Sequence, residues 1–374
     1  MAGIYIHIPF CRKACHYCNF HFSTSEKLTD AMIKAICREA EMRSNYINEN
    51  ITTIYFGGGT PSLLSVNNLK ELMCAISDLF TITNDAEITL EANPDDINEN
   101  KLNAWRELGI NRLSIGVQSF FNEDLKWMNR VHNADEALKS ILLAQKNGFD
   151  NITIDLIYGT PTLNEENWMK NLQTVFSLNI PHVSCYALTV EEKTALSAMI
   201  ALGKIENIEH EKQSRHFELL MRQMKLNGYE HYEISNFAKP GNRSKHNSSY
   251  WNGKPYLGLG PSAHSYNGNA RQWNIANNAL YIKNIESEVV YYETENLTDK
   301  QKLNEYIMTS LRTMEGISLD YVLKNWDNKA VNKMKEVCKK FFEHGLVSEK
   351  NNSLILTDKG KLFADGIAAD LFAE

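Results

Sequence analysis

The run Phe10-Cys11-Arg12-Lys13-Ala14-Cys15-His16-Tyr17-Cys18-Asn19-Phe20 follows a short β-branched stretch, Gly3–Ile8. Its spacing is C-x3-C-x2-C. Three thiols this close in a loop are reactive without ligation, so a metal-bound state is a better reading than a purely structural one. A [4Fe–4S] cluster usually takes one cysteine per iron. Three thiolates leave one iron open, which suits chemistry better than electron storage. Zinc is the alternative, with His7, His16 or His21 as a fourth ligand. Spacing alone leaves both open.

Outward from this loop, the first 230 residues repeat one theme: a short strand, a loop, then an amphipathic helix. The strands are expected at Gly3–Ile8, Thr52–Phe56, Glu87–Leu90, Arg112–Val117, Asn151–Ile157 and His182–Leu188. Helical patterns follow near Thr29–Tyr46, Val66–Phe80, Asn98–Leu108, Ala134–Asn147, Glu165–Leu178 and Glu209–Asn227. Ser65 is a good N-cap, and Gly148 a good stop. Such alternation demands parallel pairing with right-handed crossovers. Six units predict an open α/β barrel, a partial (β/α)6 relative of the closed eight-unit form. A second special loop, Tyr55-Phe56-Gly57-Gly58-Gly59-Thr60-Pro61-Ser62, ends the second strand. Its glycines allow close backbone approach to a ligand. It lacks the Gly-Lys-Ser/Thr of a Walker phosphate loop.

The composition is that of an ordinary packed protein, with 43% hydrophobic residues. The formal net charge of -7 argues against broad nucleic-acid binding. No apolar run reaches membrane-spanning length, and the first residues lack the pattern of a secretory signal. A cytoplasmic, reducing setting is expected, with Cys37, Cys74, Cys185 and Cys338 as small hydrophobes rather than disulfide partners.

The cysteine loop after the first strand and the glycine loop after the second together resemble the core of radical S-adenosylmethionine (SAM) enzymes. The resemblance extends over almost the whole chain to the branch of oxygen-independent coproporphyrinogen III oxidase-like proteins, the HemN/HemW family. It implies that Cys11, Cys15 and Cys18 hold a [4Fe–4S] cluster whose open iron chelates SAM, with reduction cleaving the sulfonium to a 5′-deoxyadenosyl radical. It further implies SAM contacts at Tyr5, Gly58, Gly59, Thr60, Glu91, Gln118, Arg130 and Asp155. Chemistry assigns Arg130 to the SAM carboxylate, Gln118 and Asp155 to ribose hydroxyls, and Glu91 to an amine or hydroxyl. Taken singly, Glu91 and Asp155 read as loop caps and Arg130 as a surface charge.

Two departures separate this chain from the oxidase type. Phe20 stands where that motif has a further cysteine, and only ten residues precede Cys11. His246-Asn247-Ser248-Ser249-Tyr250-Trp251 matches the H-N-x-x-Y-W signature of the HemW side of the branch. The resemblance therefore implies a haem chaperone that carries haem as cargo to client haemoproteins, respiratory enzymes at the membrane included. It also implies dimerisation supported by the cluster and membrane contact through partners. His246 is the expected haem-iron ligand, since neutral imidazole suits haem, with His264, His231 and the thiolates as competitors. Without the resemblance, His246 reads as a hydrogen-bonding residue of an ordered loop. The rivals are an oxygen-independent coproporphyrinogen III oxidase, another radical-SAM enzyme of tetrapyrroles, and a zinc-stabilised binding module.

Three regions are expected: a barrel over 1–235, a connecting segment with the H-N-x-x-Y-W motif over 236–289, and a winged-helix-like module over 290–374. In the last, Thr298–Gln301 reads as a capping box, and Asn351-Asn352 as the turn of a hairpin. With 12 Lys/Arg against 14 Asp/Glu, this module is expected to pack or meet partners rather than bind DNA.

Overall fold

A computed structural model of the protein describes residues 2–373. Fifteen strands occur among them: β1 (Ala2–Ile8), β2 (Ile51–Gly58), β3 (Ile82–Ala92), β4 (Arg112–Gln118), β5 (Ile152–Tyr158), β6 (His182–Ala187), β7 (Glu230–Glu233), β8 (Asn236–Ala238), β9 (Tyr256–Leu259), β10 (His264–Tyr266), β11 (Ala270–Asn274), β12 (Tyr292–Asn296), β13 (Ile317–Ser318), β14 (Val347–Lys350) and β15 (Ser353–Leu356). β1 to β6 lie side by side in chain order, all parallel. This is the partial α/β barrel that the strand–helix alternation predicts. Antiparallel strands extend both edges: β8 and β7 beyond β6, and β10, β11 and β12 beyond β9, which runs parallel to β1.

The helices begin where their caps dictate. Ser65, Asn98, Asn133 and Asn164 each accept a backbone N–H from the first turn with a side-chain oxygen, and Asn133 completes a capping box with Glu136. Gly148, at φ 78°, ends the helix Ala134–Lys146 in a conformation that favours glycine.

The strands carry two different faces. On one, Ile4, Ile6 and Ile8 of β1, Ile54 and Phe56 of β2, and Leu113, Ile115 and Val117 of β4 are fully buried in the core that includes the outer helices. On the other, polar side chains face one another: Tyr5, Thr53, Tyr55, Glu87, Glu91, Arg112, Thr153, Asp155 and His182. Parallel strands buried on both faces usually read as continuous apolar runs. Here the period-2 alternation marks an interior built for polar contacts.

Residues 236–289 join the barrel rather than stand beside it. The helix Lys245–Trp251 enters the concave side, and its first turn is held by the buried Glu87, which accepts from the amides of Lys245 (3.1 Å) and His246 (3.0 Å). Arg112 lies 3.8 Å from Glu87 and donates to Thr153, while His182 links Thr153 to Tyr232. The β9–β11 edge is fastened by a second buried network. Arg43 donates to Glu39 (3.1 Å), to the Gly258 carbonyl (3.2 Å) and to Gln272 (2.6 Å), and Glu39 accepts from Gly260, Asn274 and Tyr281.

Residues 299–371 pack around a separate core containing Ile307, Ile317, Val322, Cys338, Leu354 and Ile367. The order is helix, β13, two helices, then the hairpin β14–β15, the winged-helix order. Asn351 and Asn352 both have positive φ (51° and 56°), as a two-residue hairpin turn requires. Thr298 forms the expected capping box with Gln301.

Arg43→Ala leaves the fully buried Glu39 without its cation. We expect a loss of about 3–5 kcal/mol, read as a lower denaturation midpoint, with faster amide exchange in β9–β11 than in β3–β5.

Candidate functional site

The three cysteines lie in the crossover between β1 and the helix Thr29–Met42, above the carboxyl ends of the strands. All three are free and partly buried. The loop is pinned from several sides. Cys11 N–H donates to Ser23 O and Ser23 N–H to Pro9 O, closing its base. His16 N–H donates to Met128 O, the His16 ring contacts Trp127 O (2.8 Å), and Asn129 donates to Ala14 O (2.7 Å). Tyr17 packs on a small apolar cluster of Leu125, Met128, Ile157, Leu188 and Leu196. Arg12 reaches Asp96 (2.6 Å), which also accepts from Ser62 (2.7 Å), so the cysteine loop, the glycine loop and the end of β3 are tied together.

Around the thiols, Thr60 donates to Cys11 Sγ (3.5 Å) and Arg130 to Cys15 Sγ (3.3 Å). Burial pushes the Cys11 thiol up to about 11 and raises that of Cys18. A metal would therefore displace protons on binding. Among the described residues no three His, Cys, Asp or Glu side chains are grouped to hold one metal ion.

The glycine loop passes against the cysteine loop with no room to spare. Gly59 N–H donates to Ile8 O (2.8 Å), and a Cβ on Gly59 would lie 2.6 Å from Phe10 O and 2.8 Å from Phe10 N. Gly58 has φ 104°, and a Cβ there would lie 2.5 Å from the His7 ring.

Glu91 and Asp155 face each other across the interior. Glu91 accepts from Tyr55 (2.8 Å), and burial, with Asp155 nearby, pushes its carboxyl up to about 8. Burial pushes Asp155 up to about 6. Gln118, at φ 66°, turns the chain sharply at the end of β4. Such strain gathers at functional sites when the surroundings hold it; here Ser119, Asp124, Thr162 and Asn171 form that hold. Arg130 donates to Asn93 (2.6 Å) and Gly116 O (2.9 Å), while its buried Nε has no partner among the described residues. Asn93 and the Arg12–Asp96–Ser62 latch were not legible in sequence, because their partners are 31 to 84 residues away.

His246, expected as the haem-iron ligand, lies enclosed in the barrel. Its ring is 1% exposed, Nδ1 contacts Thr53 Oγ1 (2.8 Å) and Nε2 contacts Tyr250 OH (2.8 Å). It stacks on Tyr55, with centroids 5.0 Å apart. Both nitrogens are engaged inside the barrel, so the residue anchors its helix. His231 is also enclosed, stacked on Phe237 at 4.1 Å. A wide cavity of about 1280 Å³ lies elsewhere, between β1, β9, β10 and the C-terminal module. Tyr5, Asn19, Phe20, His21, Tyr250, Trp251, His264, Arg271, Tyr306 and Trp326 are among its walls.

Gly59→Ala forces the backbone just before Cys11 to move. We expect folded protein with well under half the wild-type iron after anaerobic reconstitution; equal iron content would show that the close approach does not govern the loop.

Residues 5–175 match the radical SAM superfamily, and residues 297–363 the HemN C-terminal domain. The chain is 34% identical to the heme chaperone HemW of Bacillus subtilis, over 100% of both chains. It is 33% identical to the heme chaperone HemW of Lactococcus lactis, over 96% of this chain and 92% of the relative. Its fold superposes on Escherichia coli coproporphyrinogen III oxidase (HemN), described as a radical SAM enzyme, with a TM-score of 0.86 and 23% identity, over 100% of this chain and 90% of that one. With full-length likeness of this extent, the chain belongs to the HemW family of the radical SAM superfamily.

Proposed function

We propose that this protein is a haem chaperone, binding haem and delivering it to client haemoproteins. The observation that carries this reading is the full-length likeness to relatives named as haem chaperones. The aromatic-walled cavity supports it, being large enough for a tetrapyrrole. Among the described residues no helix is long and apolar enough to cross a membrane. In this reading, respiratory clients at a membrane are met through protein contacts.

Membership of the superfamily implies a [4Fe–4S] cluster and SAM. The free thiols of Cys11, Cys15 and Cys18 and the glycine cradle beside them suit such a cluster, which supplies an iron able to chelate SAM and pass it an electron. In our assignment the unpartnered Nε of Arg130 gives the SAM carboxylate a donor. Gly58, Gly59 and Thr60 offer backbone and hydroxyl to its amino-acid end, and Gln118 and Asp155 serve the ribose. Tyr5 closes the near side, and Glu91 with Asp155 supplies negative charge toward the cationic ligand.

This charge makes a pH prediction. The folded carboxyl of Glu91 sits near 8, above the ordinary 4.5, so it stays protonated at pH 7, and its burial lowers stability progressively as pH rises between those values. A cation beside it favours the carboxylate. Calorimetry of SAM binding to cluster-loaded protein in buffers of different ionisation enthalpy should show proton release near pH 7 that fades above about pH 9. Glu91→Gln should remove it. Unchanged release in that variant would refute the assignment.

Delivery is tested by loading the full chain with ferric haem and mixing it with an apo-haemoprotein. Stoichiometric uptake and transfer faster than from free haem are expected. A chain that neither takes up haem nor releases it sinks the proposal. The second reading, coproporphyrinogen III oxidation, rests on the fold likeness to HemN. Formation of protoporphyrinogen from coproporphyrinogen III by reduced protein with SAM would establish it instead.

A further inference from the structure

We infer that haem sits in the groove between the β9–β11 edge and the C-terminal module, with His264 as its iron ligand and Arg271 toward its carboxylates. This rests on the haem-chaperone reading and locates its cargo.

The inference begins with strand geometry. β10 is three residues long and pairs with both β9 and β11. Its middle residue, Ser265, is buried and bonds to Gly258 and Arg43. Alternation then turns His264 and Tyr266 to the opposite face. Residues directly opposed in an antiparallel ladder share a face. His264 pairs with Trp273, Tyr266 with Arg271 and also with Tyr256. The edge of the sheet therefore presents an imidazole, a guanidinium and aromatic rings together on the groove side.

His264 differs from the other imidazoles around the groove. His7 is bonded at both nitrogens, to Tyr5 OH and His21 O, and His21 bonds to Asn278. His264 is exposed and makes no side-chain hydrogen bond among the described residues; its ring only stacks on Trp273, 6.3 Å between centroids. Partial burial and the nearby Arg271 keep it below its ordinary 6.5, hence neutral, the ligating form. Arg271 stands two residues along the ladder, about 7 Å by strand rise, paired with Glu305 at 3.0 Å. A ligand carboxylate there would share the guanidinium with Glu305, and Lys302, across the groove on the C-terminal module and bonded to Asn269, adds a second cation.

The opposite wall supplies a matching surface. Tyr306, Tyr321 and Trp326 form an aromatic cluster on the C-terminal module, with Tyr306 and Tyr321 centroids 4.6 Å apart. Phe20, 66% exposed, closes the end beside the cysteine loop. A flat aromatic macrocycle carrying a metal and peripheral carboxylates uses all three kinds of group: rings for its faces, imidazole for the metal, cations for its acids.

The test is a titration of cluster-loaded, full-length protein with ferric haem, followed by difference absorption and electron paramagnetic resonance. For His264→Ala we expect loss of the histidine-ligation signature, at least a ten-fold fall in affinity, and recovery of the signature on adding imidazole. Since His264 is exposed, folding should be undisturbed, checked by circular dichroism. Thr309→Trp, which fills the groove while leaving His264 in place, should abolish one-to-one uptake. Wild-type spectrum and affinity in His264→Ala, or full uptake by Thr309→Trp, would overturn the site while leaving the chaperone reading intact. Failure of the wild-type chain to take up haem at all overturns both.

Discussion

The structure depends on the strict alternation of side chains along six parallel strands. A strand sends successive residues to opposite faces. In β1, Ile4, Ile6 and Ile8 go to the helices, and Tyr5 and His7 go inward. Repeated across the neighbouring strands, this gives an apolar shell that holds the barrel together and a polar interior that does not contribute much to the core. The polar groups inside are satisfied chiefly by one another, as in the Tyr55–Glu91 and Arg112–Thr153–His182–Tyr232 contacts. Among the described residues the buried Arg130 Nε is left without a partner there.

The same alternation explains the H-N-x-x-Y-W segment. An open six-stranded barrel leaves the lower interior unfilled, and the charged pair Glu87–Arg112 lies there with little access to water. A seven-residue helix supplies amides to Glu87 and an imidazole to Thr53. It also directs Tyr250 and Trp251 outward to the groove. One short segment thus completes the floor of the barrel and forms part of the outer cavity.

Much of this was legible in the chain itself. Strand positions, the Ser65 and Thr298 caps, the Gly148 stop, the Asn351-Asn352 turn and the cysteine and glycine loops follow from local patterns, because each depends on neighbours within a few residues. β3 starts earlier than its apolar part suggests, because Ile82 already pairs with Ile51, and the polar Thr83, Asn84 and Asp85 fall in an irregularity before Glu87 pairs with Thr53. β9 carries little local signal, being a four-residue strand with a glycine; pairing with β1 makes it a strand. His246 drew attention by its motif, while His264, in an unremarkable Ser-Ala-His-Ser context, carried no local sign of exposure. Which of two histidines reaches a cavity is decided by β10 pairing and by the docking of a module some forty residues later.

That docking runs along a mostly polar seam. Apart from Ile234, which touches both cores, and Leu362, which packs on the barrel core, the barrel and the C-terminal module meet largely through polar contacts, among them Arg312 with Glu233 (3.0 Å), Ile234 N–H to Arg312 O, and Met314 N–H to Tyr232 O. Two independently packed cores joined this way resemble a transient interface more than a shared interior. The groove is the space they enclose, so its shape lasts only while they stay together. Whatever is held there has a residence time governed by local opening of that seam, at a free energy below that of global unfolding. Release then needs no unfolding of either core, only their brief separation.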